Sequence, residues 1–194
     1  FVDSLLHTSY KDTTKPLFNA WSFFRGITPS LFFTVSGLVF VYLLMRKPEP
    51  FWQNKRVTKG LKRVVHLLFW GYLLRLTFPL LLTFQLGDSF WKIDVLHCIG
   101  LSILSILILF GIQQKIKKIP LSVLLLVSSM TIFLFWPTYN TANYNFLPIW
   151  LANYFTQANG SVFTVFPWVG YALLGGFIGS IIHFYSIGYM ADDE

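Results

Sequence analysis

Two acid–imidazole pairs and one arginine carry most of the chemistry that these side chains could do. Asp3 and His7 are four residues apart, so on a helix they share a face. A carboxylate beside an imidazole fixes its tautomer and supports a positive ring, which is what a general base needs. Asp94 and His97 repeat the arrangement one turn apart. The same spacing is common on ordinary helix ends, so by itself it fits a structural pair as well as a catalytic one. Arg75 stands eleven residues into an apolar run that starts at Val64, roughly 17 Å from that end if the run is helical. A charge at such depth costs at least about 2.5–3.5 kcal/mol on insertion scales and is paired or faces a cavity. Asp94, early in the next run, is the nearest candidate partner. The two would form either an ion pair fastening neighbouring helices or the charged wall of a substrate cavity.

Other chemistries find no residues. The four histidines are scattered, Cys98 is alone, and neither an H-x-x-x-H pattern nor an acid-rich helix face is present, so no metal site is expected. There is no G-x-S-x-G elbow and no glycine-rich phosphate loop. His66 and His183 lie near the ends of apolar runs, where a solvated interfacial histidine is expected. A single cysteine sets up no disulfide framework.

The elements that must position these residues are membrane spans. Ile27 to Met45 is nineteen uncharged residues, roughly 28 Å as a helix and so matched to the hydrocarbon thickness of a bilayer. The spacing predicts a turn at Arg25-Gly26, Pro29 in the first helical turn, and a stop at Arg46-Lys47. With 55% hydrophobic and 12% charged residues over 194 positions, one soluble domain could not keep this apolar surface from water. The net charge of +7 does not signal nucleic acid, because the basic residues cluster in two short segments between spans. Arg46 to Arg63 holds seven Lys/Arg against one Glu, and Lys115, Lys117 and Lys118 form the second cluster. Held on the cytoplasmic side they follow the positive-inside bias, and some could also bind the phosphates of a nucleotide-bearing donor.

The expected fold is all-α, a single polytopic transmembrane bundle over residues 1–194. Five complete spans, about 27–45, 64–84, 93–112, 119–136 and 165–189, follow a stub, 1–7, that reads as the tail of a first span. Phe1 to Leu6 lacks the basic flank and cleavage site of a signal peptide. With both basic segments cytoplasmic, His7, Arg25, Asp94 and Pro167-Trp168 fall at the opposite face. So does the charge-free, aromatic connection from Pro137 to Thr164, which at 28 residues is too long for a passive turn. It is expected to lie on the membrane surface or to fold back over a cavity. Asn159-Gly160-Ser161 in it matches a glycosylation acceptor, and Gly175-x-x-x-Gly179 with Ala172, Gly176 and Ser180 forms a small-residue seam for close helix packing.

Several stretches then resemble a known family. They are His7-Thr8, Trp21, Arg25-Gly26-Ile27-Thr28-Pro29-Ser30-Leu31-Phe32-Phe33 with Ser36-Gly37, and Lys62-Arg63 with Gly71-Tyr72. Asp94-Val95-Leu96-His97-Cys98-Ile99-Gly100-Leu101 and Phe166-Pro167-Trp168-Val169-Gly170 with Gly175 complete the set. Their order is similar to that of the heparan-α-glucosaminide N-acetyltransferase catalytic-domain family and the related acyltransferase-3 membrane enzymes, of which the chain looks like the N-terminal half. The resemblance implies transfer of an acetyl (acyl) group from cytoplasmic acetyl-CoA to a sugar amine or hydroxyl at the far side. It matches His7, with Asp3, to the family's essential histidine, as general base or acyl carrier. Arg75, Asp94 and His97 would then line the substrate cavity, with Arg25 and Trp168 at its outer mouth. The implied setting is a bacterial inner (plasma) membrane and the implied partners are membrane lipid and a glycan or lipid-linked sugar acceptor, with a homo-oligomer left open. A carrier or flippase, in which Arg75 and Asp94 bind a translocated anion or lipid-linked sugar, is the rival.

Overall fold

The computed structural model describes residues 16–47, 49–76, 90–144, 146–161 and 163–192, and these are helices and connections. The chain divides into an N-terminal unit, Phe1–Phe32, and a larger unit, Phe33–Glu194. Helix α1, Pro16–Met45, begins in the first and continues into the second. Its start differs from expectation. The helix runs straight through Arg25-Gly26, and Pro29 lies in its interior, not its first turn. A proline removes one backbone donor, and a membrane helix tolerates that where other groups re-satisfy the backbone. Thr28, whose Oγ1 donates to the Phe24 carbonyl at 2.7 Å, keeps its hydroxyl inside the helix.

Helix α2, Lys55–Leu73, corrects the expected loop and span together. It starts inside the basic segment, because Asn54 caps it by accepting from the Arg56 N–H at 2.8 Å. Val57, Gly60, Val64 and Gly71 then recur on one buried face while the charges point away. It ends at Leu73, so Arg75 is not in a span interior but in the turn after the helix. Residues 77–84 of the expected 64–84 span lie outside the described residues, as do the stub 1–7 and its Asp3 and His7.

Helix α3 is Val95–Ile116, α4 Leu121–Leu134, α5 Trp136–Thr141, α6 Ile149–Ala152 and α7 Trp168–Asp192. Of five expected complete spans, three helices among the described residues are long and apolar enough to cross a membrane: Phe18–Met45, Val95–Ile116 and Trp168–Ser186. Helix α4 is apolar but has only 14 residues, about 21 Å, short of a hydrocarbon core.

In the larger unit α2 packs along α3, and α3 and α4 pack on α7. Ile106, Leu107 and Leu125 are sealed from solvent, as are Phe33, Val41 and Leu44 of α1. The small residues of α7 do what their spacing predicts. Gly175 and Gly179 lie against the backbone of Thr34 and Leu38, and Gly37 against the backbone of Ala172. Helices that touch backbone to backbone gain van der Waals contact that lipid cannot compete for. Ser129 adds a hydrogen bond from Oγ to the Gly170 carbonyl at 2.9 Å.

Candidate functional site

At one end of the α2–α3 pair, three of the residues singled out by type come together. The turn that closes α2 donates from the Arg75 N–H to the Tyr72 carbonyl at 3.0 Å, which brings the guanidinium across to α3. Its Nη2 lies 2.9 Å from Asp94 Oδ2. Asp94 is the N-cap of α3, with its carboxylate facing the His97 backbone N–H, where the helix dipole favours a negative charge. In return the Asp94 N–H donates to His97 Nδ1 at 3.3 Å. A backbone N–H needs a lone pair to donate to, so the imidazole is neutral here and carries its proton on Nε2. His97 has no exposed surface, and among the described residues its Nε2 has no partner. Arg75 Nε is likewise buried without one.

Aromatic rings and a glycine hold the imidazole in place. Tyr72 meets it edge to face at 4.4 Å and is itself stacked on Phe90 at 5.5 Å. The Tyr72 and Tyr154 hydroxyls are 2.6 Å apart. Burial, and then the bond to Tyr72, pushes the Tyr154 phenol above its ordinary range, so it stays neutral at physiological pH. Gly71 leaves room for the ring: a Cβ there would stand 2.5–2.8 Å from His97 Cε1, Nδ1 and Nε2. Gly71→Ala is therefore expected to push the imidazole off the Asp94 N–H and cost about 1–3 kcal/mol by overpacking. Thermal unfolding checks this, and Gly71→Ala combined with His97→Ala should lose less than the sum of the two single variants.

The connection from Pro137 to Thr164 does fold back, over the Asp94 end of α3. Asn153, fully buried, donates from Nδ2 to the Trp91 carbonyl at 2.9 Å and accepts from Asn159 Nδ2 at 3.0 Å. The Ile93 N–H donates to Ser161 Oγ at 3.2 Å, and Cys98 Sγ donates to the Thr164 carbonyl at 3.3 Å. Asn159, at an exposed position, and Ser161, buried, thus each give a side-chain hydrogen bond to the fold of this connection. The connection forms a charge-free, half-open pocket of about 430 Å³ whose lining includes Asn143, Tyr144, Leu147, Thr156 and Asn159.

Trp168, the first residue of α7, joins a different cluster. It stacks on Phe33 at 5.6 Å and meets Phe163 at 5.3 Å, with its buried Nε1 unpartnered among the described residues. Arg25 is at an exposed position of α1 in the N-terminal unit. Sequence reasoning gave Gly71 and Tyr72 no role at the site and passed over Tyr154 and Asn153. Nothing in the sequence pairs Tyr72 with a residue 82 positions away.

At the other end of α3 a second cavity of about 430 Å³ is lined by Leu44, Met45, Lys47, Glu49, Pro50, Phe110, Gln113, Gln114 and Lys117. Gln114 holds its wall, accepting from the Phe51 N–H at 2.6 Å and donating to the Glu49 carbonyl at 3.1 Å. Lys117, the left-handed C-cap of α3, and Lys47 bring two ammonium groups to a lining that also holds the Glu49 carboxylate and two glutamines, so one positive charge is left in excess. Sixteen to twenty helical residues separate His97 from Gln113 and Lys117, roughly 25–30 Å. Among the described residues no three His, Cys, Asp or Glu side chains gather as metal ligands do.

No curated protein matches this chain, and no solved structure does. The family model for the heparan-alpha-glucosaminide N-acetyltransferase catalytic domain matches residues 1–189, nearly the full sequence. With that match and a helical, membrane-spanning architecture, the chain belongs to the heparan-alpha-glucosaminide N-acetyltransferase catalytic-domain family.

Proposed function

We propose that the protein is an integral membrane acyltransferase that moves an acetyl group from acetyl-CoA to an amine or hydroxyl of a sugar. The family match over residues 1–189 carries this. In such a transfer the acceptor nitrogen or oxygen attacks the thioester carbonyl, a base takes its proton, and the thiolate leaves. His7 is the base or acyl carrier by its match to the family motif, with Asp3 beside it. His97 acts differently. Its Nδ1 is committed to the Asp94 N–H, which leaves Nε2–H as a donor for a carbonyl or a developing oxyanion in a water-poor site. Arg75 and Asp94 form the polar wall that orients the acceptor. A neutral pocket of amides, hydroxyls and an aromatic ring suits a sugar, and Trp168, its ring taken up by Phe33 and Phe163, offers a spare N–H. At the opposite end of α3, Lys47 and Lys117 suit the phosphates of the donor. The basic segments 46–63 and 113–118 are cytoplasmic in this scheme, which separates donor and acceptor across the membrane.

The test is donor-dependent labelling. Membranes holding the full-length protein, given acetyl-CoA labelled in the acetyl group, should transfer label to a glycan. His7→Ala should abolish the transfer, and His97→Gln should lower it by about 10²–10³-fold if it donates to the oxyanion. Movement of a lipid-linked sugar that survives His7→Ala, with no label transferred, would instead establish a carrier.

A further inference from the structure

Helix α2 has an outward face that changes character along its length, and nothing in the proposed chemistry uses it. Its inner face, Val57, Gly60, Val64 and Gly71, is buried. Opposite it, Lys55, Lys59, Lys62 and His66 follow one another at helical spacing, flanked by Arg56 and Arg63, and all six are exposed. This basic stripe is roughly 16 Å long, and α2 contains no acidic residue. Past Arg63 the same face turns apolar around His66: Val65, Phe69 and Trp70 are 66%, 58% and 53% exposed, and Leu73 and Leu74 follow. Trp52, just before the helix, is 84% exposed.

A stripe of cations that gives way within one turn to exposed aromatic and branched side chains matches the boundary between headgroups and hydrocarbon. An excess of Lys and Arg in one segment can follow from membrane orientation alone. Orientation does not require the cations to continue into an apolar stripe on the same outward face. We propose that the outward face of α2 is a binding surface for anionic phospholipid. The phosphate and negative headgroup sit among Lys55, Arg56, Lys59, Lys62 and Arg63, and the acyl chains lie along Val65, Phe69, Trp70 and Leu73. Cations near an anionic surface gain attraction that neutral lipid does not give, and the complementary sign fixes the occupant.

The full-length protein, purified into an equimolar mixture of phosphatidylglycerol and phosphatidylcholine, should retain phosphatidylglycerol preferentially, as read by mass spectrometry of the bound lipid. Each cation neutralised should weaken that preference by about five-fold. The triple variant Lys55→Gln, Lys59→Gln, Lys62→Gln should therefore lose it while retaining phosphatidylcholine as the wild type does, and the corresponding triple Lys→Arg variant should keep it. In about 1 M salt, where screening acts within about 3 Å, the wild type's preference should collapse, a result that needs no variant to fold. Equal retention of the two lipids by the wild type overturns the proposal. So does a preference that survives both the glutamine variant and high salt, or displacement of phosphatidylglycerol from these residues by free coenzyme A, which would make the stripe a site for a soluble phosphate ligand. None of these outcomes depends on acetyl transfer, so the acyltransferase can stand or fall separately.

Discussion

Gly175→Ala should melt well below the wild type, although it adds one methyl group and raises intrinsic helix propensity. The new Cβ would be driven into the Thr34 carbonyl oxygen, with the Thr34 carbonyl carbon at 2.6 Å and its Cα at 2.8 Å. Those are backbone atoms of α1, and no rotamer change can move them. The helices must separate, and separation costs contact along the whole seam, at Gly37 against Ala172 and at Gly179 against Leu38. Overpacking of this kind costs about 1–3 kcal/mol, and a backbone collision falls at the upper end. A domain stable by about 5–15 kcal/mol feels that as a large loss. Gly26→Ala is the matched control. It lies in α1, the helix whose backbone Gly175 meets, nothing is within 4 Å of its added Cβ, and a glycine-to-alanine change inside a helix is by itself favourable by about 0.5–1 kcal/mol. Thermal unfolding of both variants in detergent should therefore move in opposite directions, and equal melting of Gly175→Ala and wild type would remove the seam from the account of stability.

That seam could be read from the sequence because small residues four apart on an apolar helix have few other uses. The pairing of Arg75 with Asp94 could be read too, since an unpaired charge so deep in an apolar run is too costly to persist. The place of Arg75 differs from what the apolar run implies. Charge density made Lys55 to Arg63 look like a loop, and the apolar run after it look like the whole helix. The contrary signals were local and polar. Asn54 is a good N-cap, and the positions of Val57, Gly60, Val64 and Gly71 mark a buried stripe that starts inside the charged segment. Moving the start of the helix by nine residues moves its end to Leu73 and puts Arg75 in a turn. The contacts that shape the site from afar were not legible. Tyr72 with Tyr154, Asn153 with Trp91 and Cys98 with Thr164 join positions 62 to 82 apart, and no periodicity within one element encodes a partner at that range.

The lesson of α2 also sets the weight of Asp94. Its carboxylate does two jobs, as counter-charge to Arg75 and as the cap that also holds His97, and three substitutions separate them. Asp94→Asn keeps a good N-cap and removes the charge. Arg75→Gln removes the other half of the pair. Asp94→Ala removes pair and cap together, leaving the guanidinium with a buried Nε and without its Asp94 counter-charge. The pair is partly exposed, at 22% for Arg75 and 39% for Asp94. It is therefore worth less than a sealed ion pair, about 1–2 kcal/mol after screening, and the cap adds about 1 kcal/mol. Asp94→Ala should lose about 2–3 kcal/mol, Asp94→Asn and Arg75→Gln about half of that each, and the Arg75→Gln, Asp94→Asn double variant should lose clearly less than the sum of its parts. Activity should follow a different order. If the pair is the wall that orients an acceptor, both single charge removals lower acetyl transfer sharply, and the double variant is as poor in transfer as either single one although its stability loss is less than their sum. If transfer instead follows stability across the three variants, the pair is only a fastener between α2 and α3, and the polar wall of the site must be sought elsewhere.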